Sequence, residues 1–568
     1  MKPKLKSPLG EILIQKKIIT PEQLEIALRE QKKTGELLGL TLLRLGFVSE
    51  EAAYLPILAE HFGVAYVPLK ETVISPEAIS KIPAKFAYHY KVMPVQFKND
   101  TLTVAMTRPL DIHVLDDIGL VVKSKLRSVL SSEKDIMETV RKYYGIGAET
   151  IEQMMGAVDA SPRNETVVED IEEIGSEASI AKFINQILLE AYKDRATDVH
   201  IEPFEDELRI RYRIDGLLYD AKTPSNIKLF KDAINSRIKI MSNLNIAEKR
   251  LPQDGRLKVR VGDVDLDLRI SFLPTPYGES AVIRILSSAK LYDMGELGLS
   301  SRDMGILDTL IQKPHGIVFV TGPTGSGKTT TLYSCLSRVN KLDRKIITIE
   351  DPIEYQLKGI TQIQINPRIG LTFAAGLRSM LRHDPDIMMV GEVRDLETAE
   401  IAIQVALTGH LVFSTLHTND AASAVTRLLD MGIEPYLVSS SVECFVAQRL
   451  VRLICRRCKQ PLKMTSDMAR EFGVNADALG DVVIYHGKGC EACKFTGYHG
   501  RQGIYEFLVL NDEIRDMILG RATANQIRAK AMALGMRTLR QDGWEKVKEG
   551  RTTPGEVIRV TQEETVED

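Results

Sequence analysis

Residues 316–332 read GIVFVTGPTGSGKTTTL, and no other stretch limits the fold so tightly. An apolar run leads into Gly322-Pro-Thr-Gly-Ser-Gly327-Lys328-Thr329, which fits the pattern G-x-x-x-x-G-K-[ST]. Glycines at these positions let backbone N–H groups converge on phosphate oxygens. Lys328 is spaced to reach the β- and γ-oxygens, Thr329 is placed for Mg²⁺, and the N-terminus of the following helix adds a favourable dipole. The candidate nucleotide loop is therefore Gly322, Pro323, Thr324, Gly325, Ser326, Gly327, Lys328, Thr329 and Thr330. From about residue 299 apolar segments (GIVFVT, KIITIE, DIMMVGE, HLVFSTL) alternate with helical stretches. That alternation predicts a parallel sheet covered by helices on both faces.

Polar residues close three of those segments. Glu350-Asp351 ends one, Glu392 ends another, and His410 and His417 flank a third. In such sheets ligands bind beyond the carboxyl ends of the strands. One acid there can hold the metal's water shell and another can orient an attacking water. His417, beside Thr418-Asn419-Asp420, suits a sensor of the γ-phosphate. Taken singly, each acid also fits a helix cap or a surface charge, and His417 a core or capping histidine. Their spacing behind the phosphate loop favours the functional reading.

The rest of the 568-residue chain reads as several domains. Residues 1–63 hold a repeat, PLGEILIQKKIITPEQLEIALREQ from Pro8 and LLGLTLLRLGFVSEEAAYLPILAE from Leu37, each with a helix opened at Thr20-Pro21 or Ser49-Glu50. This predicts an α-rich module of helical hairpins. Residues 64–145 predict a small α/β domain. Residues 146–177, with six carboxylates between Glu165 and Glu177, read as a flexible acidic linker. Residues 178–290 open with a helix and continue in period-2 strands with turn pairs at Asp215-Gly216 and Gly262-Asp263. They predict an α+β domain with a mainly antiparallel sheet. Residues 291–568 carry the nucleotide core, a Cys-bearing segment at about 452–496 and C-terminal helices.

Four of the six cysteines form Cys455-Arg-Arg-Cys458 and Cys490-Glu-Ala-Cys493. Two such pairs suit tetrahedral Zn²⁺, and four protein ligands leave no open position, so the expected site is structural. A redox role is the weaker reading, because neither pair opens a thioredoxin-like helix. The adjacent Arg452, Arg456, Arg457 and Lys459 form a basic flank that reads as solvated surface or a partner face.

GPTGSGKTT, ITIEDPIEY, MVGEVRD and STLHTND resemble the Walker A, Asp-box, Walker B and His-box motifs of the secretion and type IV pilus ATPases, the GspE/PilB superfamily. ATDVHIEP, RYRIDG and KRLPQDGR resemble the domain that precedes the motor core there. The tetracysteine segment and the N-terminal repeat resemble the pilus-extension and type II secretion members rather than the retraction ones. The resemblance implies a RecA-like P-loop core preceded by an α+β PAS-like domain, working as a homohexamer on ATP and Mg²⁺. It implies that Glu350 polarises the attacking water, Glu392 helps hold the metal and His417 senses the γ-phosphate. Arginines of the preceding domain would reach the phosphates, with Arg213, Arg256 and Arg269 as candidates and Arg284 a weaker one; Arg211 reads as a strand-face charge. An arginine carried in by domain closure can contribute ~10³–10⁵ in rate.

The repeat is also similar to the MshE-type module that binds cyclic di-GMP. Leu9, Gly10, Leu13, Ile14, Ile18, Ile19, Leu24, Leu28 and Gln31 fit its first copy, and Leu38, Gly39, Gly46 and Phe47 its second. Pro8 and Leu37 stand where that pattern has arginines, Lys17 replaces a glycine, Ala53 a leucine and Glu60 a glutamine. Without the planar cations suited to guanine and phosphate, a docking module for a membrane-platform partner is the expectation and cyclic di-GMP the alternative.

No apolar run approaches the ~20 residues of a membrane span, and the basic N-terminus lacks an apolar signal core. The chain reads as cytoplasmic, meeting the inner membrane through a PilC-like platform protein. The expected function is a motor for pilin polymerisation, with pseudopilus assembly in type II secretion as the alternative. A nucleic-acid translocase ranks lower: the net charge is −3, aromatics are 6% and Trp544 is the single tryptophan, which leaves no evident stacking platform.

Overall fold

The computed structural model describes residues 9–16, 18–34, 38, 41–42, 45–48, 51–145, 147–148, 150–151, 170–261, 264–286, 293–465 and 483–561. The chain divides into two compact units, Met1–Ile285 and Leu286–Asp568.

The first unit opens with helices Leu9–Gln15, Pro21–Thr34 and Glu51–Phe62 around Leu13, Ile19, Ala27 and Leu55. Thr20 and Gln23 form the reciprocal cap expected at that helix start: Gln23 N–H donates to Thr20 Oγ1 at 3.2 Å and Thr20 N–H to Gln23 Oε1 at 2.9 Å. The Leu-Gly of the first repeat has a packing reason, since a Cβ on Gly10 would stand 2.5 Å from Leu24 Cδ1. Pro8, Lys17, Leu37, Gly39 and the Ser49-Glu50 start lie outside the described residues.

Next comes a three-stranded sheet of β1 (Val92–Lys98), β2 (Thr101–Met106) and β3 (Lys125–Leu130). β1 pairs antiparallel with β2, and β2 parallel with β3 across the helix Ile112–Val122. Met93, Leu102, Val104 and Ile136 form its core.

A six-stranded sheet completes the unit. It comprises β4 (Ala196–Pro203), β5 (Leu208–Ile214), β6 (Leu217–Asp220), β7 (Gln253–Val261), β8 (Val264–Thr275) and β9 (Gly278–Leu286), in the order β6-β5-β4-β9-β8-β7. β4 pairs antiparallel with β5 and β9, and β7 with β8. The helices Asp170–Lys193 and Lys231–Met241 cover it through Phe183, Ile187, Ile234 and Ile238. The first of these helices begins at Asp170, inside the segment 146–177 whose carboxylates, Ser-Pro pair and few large apolar residues read as a linker. Carboxylates are favoured in the first turn of a helix as well as in a solvated segment, so charge alone does not separate the two. Residues 152–169 lie outside the described residues.

The second unit is built on a seven-stranded sheet. Its strands are β10 (Gly316–Thr321), β11 (Ile346–Glu350), β12 (Thr361–Gln364), β13 (Ile387–Val390), β14 (Leu411–Leu416), β15 (Val442–Ile454) and, beyond the ribbon of β16 (Lys459–Lys463) and β17 (Val483–Gly487), β18 (Tyr498–Val509). The order is β12-β11-β13-β14-β10-β15-β18, parallel up to β15 and antiparallel at β18. Every residue of β10, β11, β13 and β14 is buried, as expected of strands covered on both faces. One face packs on a core including Phe319, Leu377, Ala402 and Val425, the other on Leu307, Leu336 and Phe413. This is the expected RecA-like arrangement. β18, which the sequence reading passes over, adds an antiparallel edge before the C-terminal helices from Asp512 onward. Among the described residues no helix is long and apolar enough to cross a membrane.

Candidate nucleotide site and cysteine cluster

The parallel register sets the site. Thr321 pairs with Leu416, Ile349 with Val390, and Val390 with Ser414. The loop after β10, Glu350 at the end of β11, Glu392 after β13 and His417 after β14 therefore all lie at the carboxyl ends of parallel strands, on one end of the sheet. His410 belongs to the opposite end: it precedes β14, and its Nδ1 lies 3.1 Å from Val405 O at the end of the helix Leu396–Leu407.

Backbone geometry makes the loop a cradle. Gly327 caps the helix Lys328–Val339 at φ 89°, a left-handed conformation, and a Cβ there would stand 2.8 Å from Gln448 Nε2. At Gly322 a Cβ would come 2.6 Å from Gln448 O. Lys328, only 9% exposed, donates to Gly322 O at 2.7 Å and Pro323 O at 3.1 Å. Burial pushes its ammonium down to about 8; the charge of Glu392 opposes that shift and the charge of Arg449 adds to it. Ser326 Oγ is buried without a hydrogen-bond partner among the described residues, a cost of ~1–3 kcal/mol that an incoming phosphate oxygen would relieve. The loop thus fits a nucleoside triphosphate on the molecule's own geometry. Thr329 and Thr330 are half-buried at the helix start.

Glu392 and His417 come together. Glu392 Oε2 lies 3.1 Å from His417 Nε2, and Glu392 Oε1 accepts from Arg394 Nη2 at 2.7 Å. Glu350 has a different environment. It is 3% exposed, and its carboxylate accepts from Tyr333 Oη, from Thr348 Oγ1 at 2.5 Å and from Gln362 Nε2 at 3.1 Å. A carboxylate so enclosed would have to exchange these partners before it could polarise water.

Sequence reasoning passed over two further residues here, Gln448 and Arg449 of β15. Gln448 Oε1 accepts from Thr331 Oγ1 at 2.8 Å. Arg449 Nη2 donates to Asn419 O at 3.1 Å and Asn419 Oδ1 at 3.0 Å. Adjacent amide and guanidinium side chains inside a strand otherwise rich in buried apolar residues were the available signal.

The candidate arginines lie in the first unit. Arg213 Nε is 3.8 Å from Asp198 Oδ2 and its Nη1 donates to Gly216 O at 3.0 Å, while Arg284 Nε lies 2.9 Å from Asp198 Oδ1. Arg211 is held by Glu202 through two bonds of 2.7 and 2.8 Å, consistent with a strand-face ion pair. Arg256 and Arg269 stand directly opposite each other on β7 and β8.

The cysteines converge. Cys455 Sγ–Cys490 Sγ and Cys458 Sγ–Cys493 Sγ are each 3.8 Å and Cys490 Sγ–Cys493 Sγ is 3.7 Å, with all four sulfurs within 4.8 Å of one another. A tetrahedron with metal–sulfur bonds of ~2.3 Å has edges of about 3.8 Å. The donor set and its spacing fit a closed thiolate metal site. Cys490 and Gly497 N–H groups point at Cys493 Sγ at 3.2 and 3.3 Å. The basic flank needs a correction: Arg452 is not part of a solvated face, because it is held by Glu556 at 2.8 Å and lies 4.1 Å over the Tyr498 ring. Arg456, Arg457 and Lys459 remain at the surface.

Comparison with known proteins assigns the chain to a family. The family described as Type II/IV secretion system protein matches residues 173–559. The MshEN domain matches residues 62–150, the small α/β domain rather than the repeat in residues 1–63. The chain is 42% identical over 557 residues to the Type IV pilus assembly ATPase PilB of Myxococcus xanthus, covering 97% of this chain and 98% of that one. It is 41% identical over 559 residues to the Type II secretion system protein E of Xanthomonas campestris, at the same coverages. Among solved structures, the ATPase DotB of Legionella pneumophila superposes with a TM-score of 0.50 at 23% identity, over 67% of this chain and 95% of that one; that likeness concerns the fold.

Proposed function

The chain belongs to the Type II/IV secretion system protein family, and we propose that within it this ATPase is a hexameric motor that drives type IV pilus assembly through an inner-membrane platform protein. One observation carries the reading: a phosphate cradle, Glu392 and His417 lie together at the carboxyl ends of neighbouring parallel strands. Lys328 and Thr329 hold the phosphates and Mg²⁺, which supplies charge neutralisation when bound. Glu392 orients the metal's water shell, and His417, bonded to it, reports whether the γ-phosphate is present. Glu350 is the candidate for ordering the attacking water. Arg213, Arg256 and Arg269 are the candidates for completing the charge on the phosphates.

The four cysteines hold a structural zinc that staples the β16–β17 ribbon to β18. The N-terminal helices and the MshEN-matching domain dock partners, with cyclic di-GMP as a candidate ligand. The protein works in the cytoplasm and meets the inner membrane through those partners. Assembly of a type II secretion pseudopilus is the second reading, favoured by the almost equal likeness to the Xanthomonas protein. Deleting the gene and scoring surface filaments and secreted proteins together separates the two. Loss of filaments with normal secretion supports the pilus motor; the reverse result assigns the secretion system.

A further inference from the structure

We propose that Arg449 is a positioning residue for ATP turnover: it fixes the loop that carries His417 against the phosphate loop. The inference rests on the nucleotide-site reading above and adds a residue to it.

Arg449 lies on β15 beside both loops. Towards the His417 loop its Nη2 donates to Asn419 O and Asn419 Oδ1, two residues beyond His417. Its Nη1 donates to the adjacent β15 carbonyl, Gln448 O, at 3.3 Å, and on the phosphate-loop side it stands 3.2 Å from where a Cβ on Gly322 would be. Gln448, its neighbour, accepts from Thr331 in the first turn of the helix after that loop, and its Nε2 stands 2.8 Å from where a Cβ on Gly327 would be. A forked, planar cation is the side chain that can hold two acceptors on one loop while resting on another. Lysine could not reproduce both bonds to Asn419.

The charge is also unusual. All three hydrogen bonds go to neutral amide or carbonyl oxygens, and no carboxylate lies within ion-pair distance among the described residues. Burial lowers the guanidinium's proton affinity, and the charges of Asp420 and Glu506 act against that. Both acids are committed elsewhere: Asp420 to Arg528 at 2.6 Å and to Ser423 N–H at 2.8 Å, Glu506 to Ala421 N–H at 2.9 Å. A partly buried cation left without a counter-ion is costly. Here it also presses on the ammonium of Lys328. An anion at the loop would answer both charges, so the contact that sets the His417 loop is strongest when the site is filled.

The test uses the full chain with Mg-ATP, measuring phosphate release and the affinity for a fluorescent ATP analogue. Arg449→Gln, which removes the guanidinium fork, should lower kcat about tenfold, and Asn419→Ala, which removes the side-chain acceptor and leaves the backbone one, about threefold or more, each changing nucleotide affinity less than about threefold. The double variant should be no slower than Arg449→Gln alone, because the bond that Asn419→Ala removes is one of those already lost with the guanidinium. Arg449→Lys should follow the loss. Melting temperatures identify a variant that fails to fold, and Asn419→Ala then decides on its own. Unchanged kcat in Asn419→Ala, multiplicative losses in the double variant or full activity in Arg449→Lys would overturn the proposal. If Lys328→Ala turns over as fast as the natural chain, the nucleotide-site reading itself falls, which is a separate result.

Discussion

His417 Nε2 stands 3.1 Å from Glu392 Oε2, and the other oxygen of the same carboxylate takes Arg394. One buried side chain thus joins the end of β13 to the loop after β14. Glu392→Ala removes the metal-side acid and releases His417 together. We expect kcat for ATP hydrolysis to fall on the order of 10²–10³-fold with the melting temperature nearly unchanged. Phosphate release at saturating ATP measures it; normal turnover would remove Glu392 from the site.

Lys328 gives the site a pH dependence. Its ammonium is held down to about 8 by burial, while in the unfolded chain it keeps an ordinary value near 10.4. Between those values the unfolded state binds more protons, so stability rises with pH through that window, and the cost of the buried charge is fully present below it. Nucleotide binding has the opposite slope, because it needs the charged form. Affinity for ATP should weaken between about pH 7 and about pH 9 in the natural chain and stay flat in Lys328→Gln. Calorimetric titration at both ends reads the difference; equal slopes in the two proteins would contradict it.

Tyr333 and Gln362 surround Glu350 inside the core. Tyr333→Phe leaves the carboxylate short of a donor and should cost about 1–3 kcal/mol of stability, seen as a lower denaturant midpoint. Glu350→Gln keeps the shape and removes the charge. If Glu350 orders water, this variant loses turnover while keeping its fold; if it loses neither, its role is packing.

How much of this was legible beforehand depends on the range of the interactions. The phosphate loop was, because its chemistry is written in eight consecutive residues. The sheet was, because strands covered on both faces become continuous apolar runs. Glu350 was legible as an acid at a strand end, but only Thr348 among its donors is local; the other two come from Tyr333 on a helix and Gln362 on another strand, and no local pattern announces them. Arg449 stayed hidden for the same reason: its partner Asn419 is 30 residues away. Arg452 read as surface because its acid, Glu556, lies 104 residues on. The helix start at Asp170 was obscured because acids serve linkers and helix N-termini alike.

The cysteine cluster predicts one bound zinc per chain. Cys490→Ser should abolish binding, measured by elemental analysis. Chelation should expose the segment between Cys455 and Cys493 to protease while nucleotide affinity stays unchanged, since apo thiolate sites lose the energy that closes them. Unaltered cleavage after metal removal would count against the ion.

Arg256 offers a test in which stability and activity move in opposite directions. On the same faces of β7 and β8, Lys258 faces Asp267 and Arg260 faces Asp265, both complementary pairs, whereas Arg256 faces Arg269. Cross-strand pairs are worth roughly 0.2–1 kcal/mol, and like charges reverse the sign. Arg256→Gln should therefore leave the protein as stable or slightly more so, while slowing ATP hydrolysis in the assembled protein by about 10-fold or more. Denaturation and turnover measured on one preparation give both numbers. A destabilised variant with full activity would make Arg256 a structural charge and leave Arg213 as the candidate to test next.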